Sequence, residues 1–265
     1  MGAFPNITSR SLIPKLMGGG VPYTASPVTY WRQTIRASDL SSTAATVTAV
    51  GTVGAIADGN FVLDFHDREG TLVDQITVPV GGGDPPDEAG LAEDIADAVT
   101  VAAGGGGDLE GYVSATSSDA ENFTVAFVAG QTLTVSVNSE PTPSITIEHL
   151  AEIVLSELDP NRAFPRNVYR EVDPYVRVTE AWAAGTVVTV DDNGVASSDV
   201  LVQAPLDALG AQETASASTL GGTAATETDW DPVVLLELGD DASPTAGVFE
   251  LLVPLSPILT PEPLP

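Results

Sequence analysis

The side chains able to carry chemistry are few in kind. The 265-residue chain has two histidines, one lysine, eight arginines, no cysteine and 37 Asp and Glu residues. Without cysteine there is no thiol nucleophile, disulfide, zinc–thiolate site or iron–sulfur ligand. Lys15 stands in a Gly- and Pro-rich N-terminal segment, not in the desolvated pocket that Schiff-base chemistry needs. His66 falls at the end of an expected hairpin and His149 on the polar side of an expected helix. Neither belongs to a motif, and both read as solvated. No nucleophile elbow, P-loop, zinc-protease motif or dinucleotide fingerprint occurs. The run Gly104–Gly107 lacks a following Lys-Ser/Thr pair, so it reads as a linker and not as a phosphate cradle. Carboxylate pairs are too numerous to single out a glycosidase pair, and three Trp and five Tyr offer few sugar platforms. Calcium is the ligand that the remaining donors suit. Asp191, Asp192, Asn193, Asp229 and Asp231 are hard oxygen donors in expected loops, though none fits an EF-hand. Asp191–Gly194 is better explained as a tight hairpin turn, since Asn-Gly is a strong signal for one. No other cofactor is implied, and the chain reads as a non-enzyme.

The charge is uneven, and that unevenness points to partners. The formal net charge is −28. Residues 1–37 carry four cations and no acid, residues 38–160 one cation and 21 acids, residues 161–177 four cations and two acids, and residues 178–265 no cation and 14 acids. An acidic body repels phosphate backbones, so nucleic acid is excluded as a partner. The two cationic patches suit docking onto an acidic protein surface. Arg10, Lys15, Arg32 and Arg36 form the first, with Tyr23, Tyr30 and Trp31 as aromatic anchors; Arg162, Arg166, Arg170 and Arg177 form the second. No apolar run approaches the roughly 20 residues of a membrane span, and the N-terminus lacks the apolar region of a secretory signal. Asn6-Ile7-Thr8 and Asn122-Phe123-Thr124 match glycosylation sequons, but without that signal they carry little weight.

The elements that would position these residues are mostly strands. Hydrophobic residues make up 43% of the chain and aromatics only 6%, with Ala, Val, Thr and Gly dominant, a mix that suits short strands on a thin core. Residues 1–37 read as an extended arm. Residues 38–160 read as an α+β module: a strand at 43–50, a hairpin of 60–66 and 71–80, and a helix capped by Asp84 with Pro85 at its first position. In that helix Leu91, Ile95 and Val99 form the apolar stripe. Strands follow at 111–116, 122–128 and 131–137. A second helix is expected over 146–158 from Ile147, Leu150, Ala151, Val154, Leu155 and Leu158. Asn60–Phe65 resembles Asn122–Phe127, and Leu91-Ala92-Glu93 resembles Leu150-Ala151-Glu152, which suggests a repeated ββα unit. Residues 161–257 read as a β-sandwich domain with strands at 174–180, 185–190, 195–203, 233–238 and 247–253. The α+β module could be inserted into that sandwich, with 43–50 as the sandwich's first strand. The Pro-rich end, including the tail 258–265, is not expected to pair as a central strand.

Residues 51–137 resemble a module of tailed-bacteriophage structural proteins. The resemblance rests on the Asp58-Gly59-Asn60-Phe61 strand entry, the Val78-Pro79-Val80 exit, the Leu91–Val99 helix and the strand of residues 130–137. The Gly- and Thr-rich stretch from Trp182 to Pro257, with its GVFELLVPL strand, is similar to head-decoration, cement and head-fibre proteins. The resemblance implies a virion protein attached to a capsid or tail lattice; the leading reading is a virion-surface protein held on the capsid by the major capsid protein or another virion protein. It also implies a homo-oligomer, trimeric or higher, with no catalytic residues. A tail tube or baseplate subunit and a glycan-binding adhesin are the alternative readings, and a carboxylate hydrolase is a more distant one.

Overall fold

Period-two alternation writes most of the architecture. A computed structural model describes residues 29–83, 85, 87–131, 133–141, 144–160, 168–170, 175–192, 201–212, 232–239 and 244–257. The chain is mainly β. Its strands are β1 (Thr29–Arg36), β2 (Ala45–Val53), β3 (Gly59–His66), β4 (Leu72–Val80), β5 (Val113–Asp119), β6 (Asn122–Phe127), β7 (Thr134–Ser139), β8 (Ile145–Val154), β9 (Val168–Arg170), β10 (Tyr175–Glu180), β11 (Val187–Asp192), β12 (Leu201–Pro205), β13 (Gly210–Gln212), β14 (Pro232–Leu238) and β15 (Val248–Pro257). Helix α1 spans Glu88–Ala103, and α2 is a single turn, Leu155–Leu158.

Three sheets result. A five-stranded sheet has the order β1-β15-β10-β13, with β9 also on β15; a seven-stranded sheet runs β12-β11-β14-β8-β2-β6-β5; a three-stranded sheet runs β4-β3-β7. Alternate residues of the central strands enter a common core: Ala45, Val47, Ala49 and Val53 from β2, Phe61, Leu63 and Phe65 from β3, Phe123, Val125 and Phe127 from β6. Leu91, Ala92, Ile95, Ala96 and Val99 of α1 close over it.

Several expectations need correction. Residues 146–158 are not a helix: Ile145–Val154 is β8, lying between β2 and β14 and paired antiparallel to both. Its inward residues His149, Ala151 and Ile153 follow a period of two, and the ladders on both edges override the helical spacing that the same apolar residues also fit. The repeated ββα unit fails for that reason, because Leu150-Ala151-Glu152 lies in a strand. In addition, β6 pairs with β2 and β5, whereas its supposed counterpart β3 pairs with β4 and β7. The cap of α1 is Asp87, whose side chain accepts from the Gly90 N–H at 2.9 Å. The helical region is disfavoured for a residue before proline, so the Pro85-Pro86 sequence works against the earlier start that an Asp84 cap would need.

The arm reading ends before residue 29, since 29–36 is β1, paired along its length with β15. Strand β2 pairs, among the described residues, only with β6 and β8, both within 38–160. It is therefore not the first strand of the C-terminal sheet; β1 takes that place. The seven-stranded sheet draws strands from both sides of residue 160. The Pro-rich end also pairs further than expected, since Leu255 faces Thr29 on one edge and Arg170 on the other. Pro254 stands where the β9–β10 edge is interrupted, and a missing N–H costs least at such a gap. Strand β12 spans Leu201–Pro205; residues 195–200 of the expected strand and the turn residues Asn193 and Gly194 lie outside the described residues, as do Asp229, Asp231 and 258–265.

The β2–β6 ladder has one tight point. Gly51 stands opposite Phe123, and a Cβ on Gly51 would lie 2.0 Å from the fully buried Phe123 ring. The glycine gives the ring its place over the sheet. G51A is expected to lower stability by about 1–3 kcal/mol through overpacking, and F123A by about 3–5 kcal/mol through cavity formation. Because the truncated ring leaves room for the new methyl, G51A should cost clearly less in the F123A background than in the native chain. Urea unfolding of the four proteins measures this coupling.

Candidate functional site

Along β15 the five-stranded sheet carries a charged row. Glu250 pairs in register with Thr34 of β1 on one edge and with Arg177 of β10 on the other. Its alternation partners Phe249, Leu251 and Val253 point into the core, so Glu250 lies on the opposite face. There it meets Arg32 at 3.4 Å and Arg177 at 3.6 Å. Both arginines were expected to be docking cations; the structure pairs both with one internal carboxylate. Arg36 is exposed at the far end of β1, where its N–H donates to Asp39 Oδ2 at 2.8 Å. Arg68, in the β3–β4 turn, donates to Ser41 Oγ at 3.4 Å and to the Pro244 carbonyl at 3.1 Å.

At the other end of this sheet β1, β9 and β15 come together. Leu255 pairs with Thr29 and with Arg170, so these two backbones lie about 10 Å apart, two strand spacings. Val168 pairs with Pro257 at the same end. Three strands therefore meet the preceding or following chain together: β1 follows residues 1–28, β9 follows 161–167, and β15 leads into 258–265. Arg10, Lys15, Tyr23, Arg162 and Arg166 belong to those segments and lie outside the described residues. Covalent geometry alone holds the Arg166 Cα within about 7 Å of Val168. Tyr30, half-buried Trp31 and Arg170 occupy strand positions at this end. The described chain thus resumes at Thr29 and at Val168, more than a hundred residues apart in sequence, at one end of one sheet.

Two residues with a role were missed. Glu250 was not singled out, though it is the lone acid in an otherwise apolar strand. His149 was read as solvated on a helix; it is buried in β8, 7% exposed. Its Nε2 accepts from the Val135 N–H of β7 at 3.1 Å. Burial lowers its pKa from 6.5 to about 4. The period-two run Ile147, His149, Ala151, Ile153 was the available signal. His66, by contrast, sits half-buried at the end of β3, as the hairpin reading expected.

For calcium, Asp191 and Asp192 are strand residues of β11, paired with Val233 and Pro232 of β14, and not loop donors. Among the described residues no group of three or more His, Asp and Glu side chains gathers to hold a metal ion. No helix of the described residues is long and apolar enough to cross a membrane.

No protein-family model, curated protein or solved structure matches the chain.

The Arg177–Glu250 pair is partly exposed, so solvent screens it. A double-mutant cycle with R177A and E250A is expected to give a coupling of about 0.2–1 kcal/mol at low salt. That coupling should shrink towards zero at about 1 M NaCl, where the screening length is roughly 3 Å.

Proposed function

We propose that this chain is a virion structural protein that decorates or cements a tailed-bacteriophage capsid, docking through its cationic segments and turning its acidic sheets outward. The observation that carries this reading is the meeting of Thr29, Val168 and Pro257 at one end of the five-stranded sheet. Residues 1–28 and 161–167 hold four of the nine cations, Arg10, Lys15, Arg162 and Arg166, and both segments join the body at this end. The rest of the chain is strongly acidic. A molecule with one cationic end and an acidic body docks in a defined orientation on an acidic lattice.

In this reading the five- and seven-stranded sheets are the two layers of a β-sandwich, and β3, β4 and α1 form the ββα module. The partner is the major capsid protein or another virion protein, at the virion surface. The bound form is a homo-oligomer, trimeric or higher, because a capsid lattice presents symmetric sites. Neither a catalytic role nor nucleic acid belongs to this function.

Co-sedimentation with capsid shells lacking the protein tests the reading, using the full chain, a form lacking residues 1–28 and the R10Q/K15Q variant. All three retain β1. The full chain is expected to bind, to weaken at least tenfold between about 50 mM and about 500 mM NaCl, and to ignore reductant. The two variants are expected to bind at least tenfold more weakly at low salt. Equal binding by all three proteins, unchanged by salt, would contradict the docking mode; absence of binding to any shell would contradict the function.

A further inference from the structure

Among the described residues the three-stranded sheet shares no backbone ladder with the other two sheets. Core side chains hold it in place, together with two polar ties. One is Arg68, reaching from the exposed β3–β4 turn to Ser41 and Pro244. The other is buried: the Val135 N–H of edge strand β7 donates to His149 Nε2 on β8. Val135 faces Phe65 of β3 in register, yet its N–H bonds to His149, so the imidazole caps a donor on the open edge of β7. Only an unprotonated Nε2 can accept this bond, which fixes the ring as neutral with its proton on Nδ1.

We propose that His149 is an acid-sensitive latch: the neutral ring holds the three-stranded sheet against the seven-stranded sheet, and protonation frees the three-stranded sheet while the other two stay paired. A proton on Nε2 turns the acceptor into a donor facing another donor. The Val135 N–H is then buried without a partner, and a charge sits in the core.

Among the described residues no charge offsets the burial of the ring. On the strands flanking or facing His149, β2 and β7 contain no ionisable side chain. Glu148 and Glu152 of β8 and Glu237 of β14 are exposed at positions of opposite parity to His149 and its register partner Leu238. On β3, behind β7, His66 faces Thr134, and Asp64 accepts from Gln75 and Asn138. The sign follows directly. The released ring titrates near 6.5 and the latched ring near 4, so acid favours release below about pH 6.5, and the effect levels off below about pH 4. Between pH 7.5 and pH 5 the latched-to-released ratio should fall about 30-fold.

Hydrogen exchange of the full-length protein at pH 7.5 and pH 5, corrected for intrinsic rates, tests the latch. Peptides covering β3, β4 and β7 are expected to lose protection at least tenfold at pH 5, while β2, β14 and β15 keep theirs. In H149Q, whose side-chain oxygen can accept the same N–H but does not titrate, that loss should vanish. Equal loss in H149Q, uniform loss across all three sheets, or no loss in the native protein would each overturn the proposal. If H149Q does not fold, the native protein still decides by NMR. The Val135 amide and the His149 ring must shift with one shared midpoint, and separate midpoints would overturn the latch.

Discussion

Strand β8 is laddered on both edges, from Ile145 to Ile153 against β2 and from His149 to Val154 against β14. Everything N-terminal to it in the seven-stranded sheet (β2, β6, β5) lies on one side, and everything C-terminal (β14, β11, β12) lies on the other. Without β8 the sheet would be two unconnected pieces with long open edges. Each backbone hydrogen bond contributes only about 0.5–1.5 kcal/mol net, but the ladder also fixes register, and register decides which face of every neighbouring strand enters the core. The inward set Val47, Ala49, Ala151, Ile153, Val234 and Leu236 depends on it.

A second closure joins the ends of the described chain. The pairing of β1 with β15 sets Thr29 beside Leu255, and β9 adds Arg170 on the opposite edge. This arrangement brings the starts of β1 and β9 to one end of the five-stranded sheet. Further along the same strands, Arg32 and Arg177 are paired with Glu250 instead of being left for a partner. The fold therefore divides the cations by position: some are taken up within the sheet, and others lie in segments that enter the body at a common end. A molecule divided in this way has a direction, which a chain bearing a uniform acidic charge would lack.

Much of this was legible in the sequence and some was not. Strands β2, β3, β4 and β6 were readable because apolar and polar residues alternate cleanly, and α1 because Leu91, Ile95 and Val99 share a helical stripe. Strand β8 was not, because its apolar residues satisfy both periods. Ile147, Leu150, Ala151, Val154 and Leu155 fit a helix, while a strand also runs through Ile147, Ala151 and Ile153 but requires a histidine on the buried face. A polar residue at a core position hides alternation, and its partner, the Val135 amide, is a long-range feature. The same holds at the candidate site. The sequence shows where cations cluster, but which of them are neutralised depends on Glu250, more than seventy residues from Arg177. The Asp87 cap was within reach, since the Pro85-Pro86 pair already disfavours an earlier start.

The most direct test of this framework is the pairing of β8 itself, by interstrand proton contacts and amide protection in NMR. Contacts across the Ala49–His149 and Leu236–Ala151 register pairs, with slow amide exchange along Ile145–Val154, are the predicted result. Sequential helical contacts over 146–158, with none to β2 or β14, would contradict it and would remove the link that holds the seven-stranded sheet together.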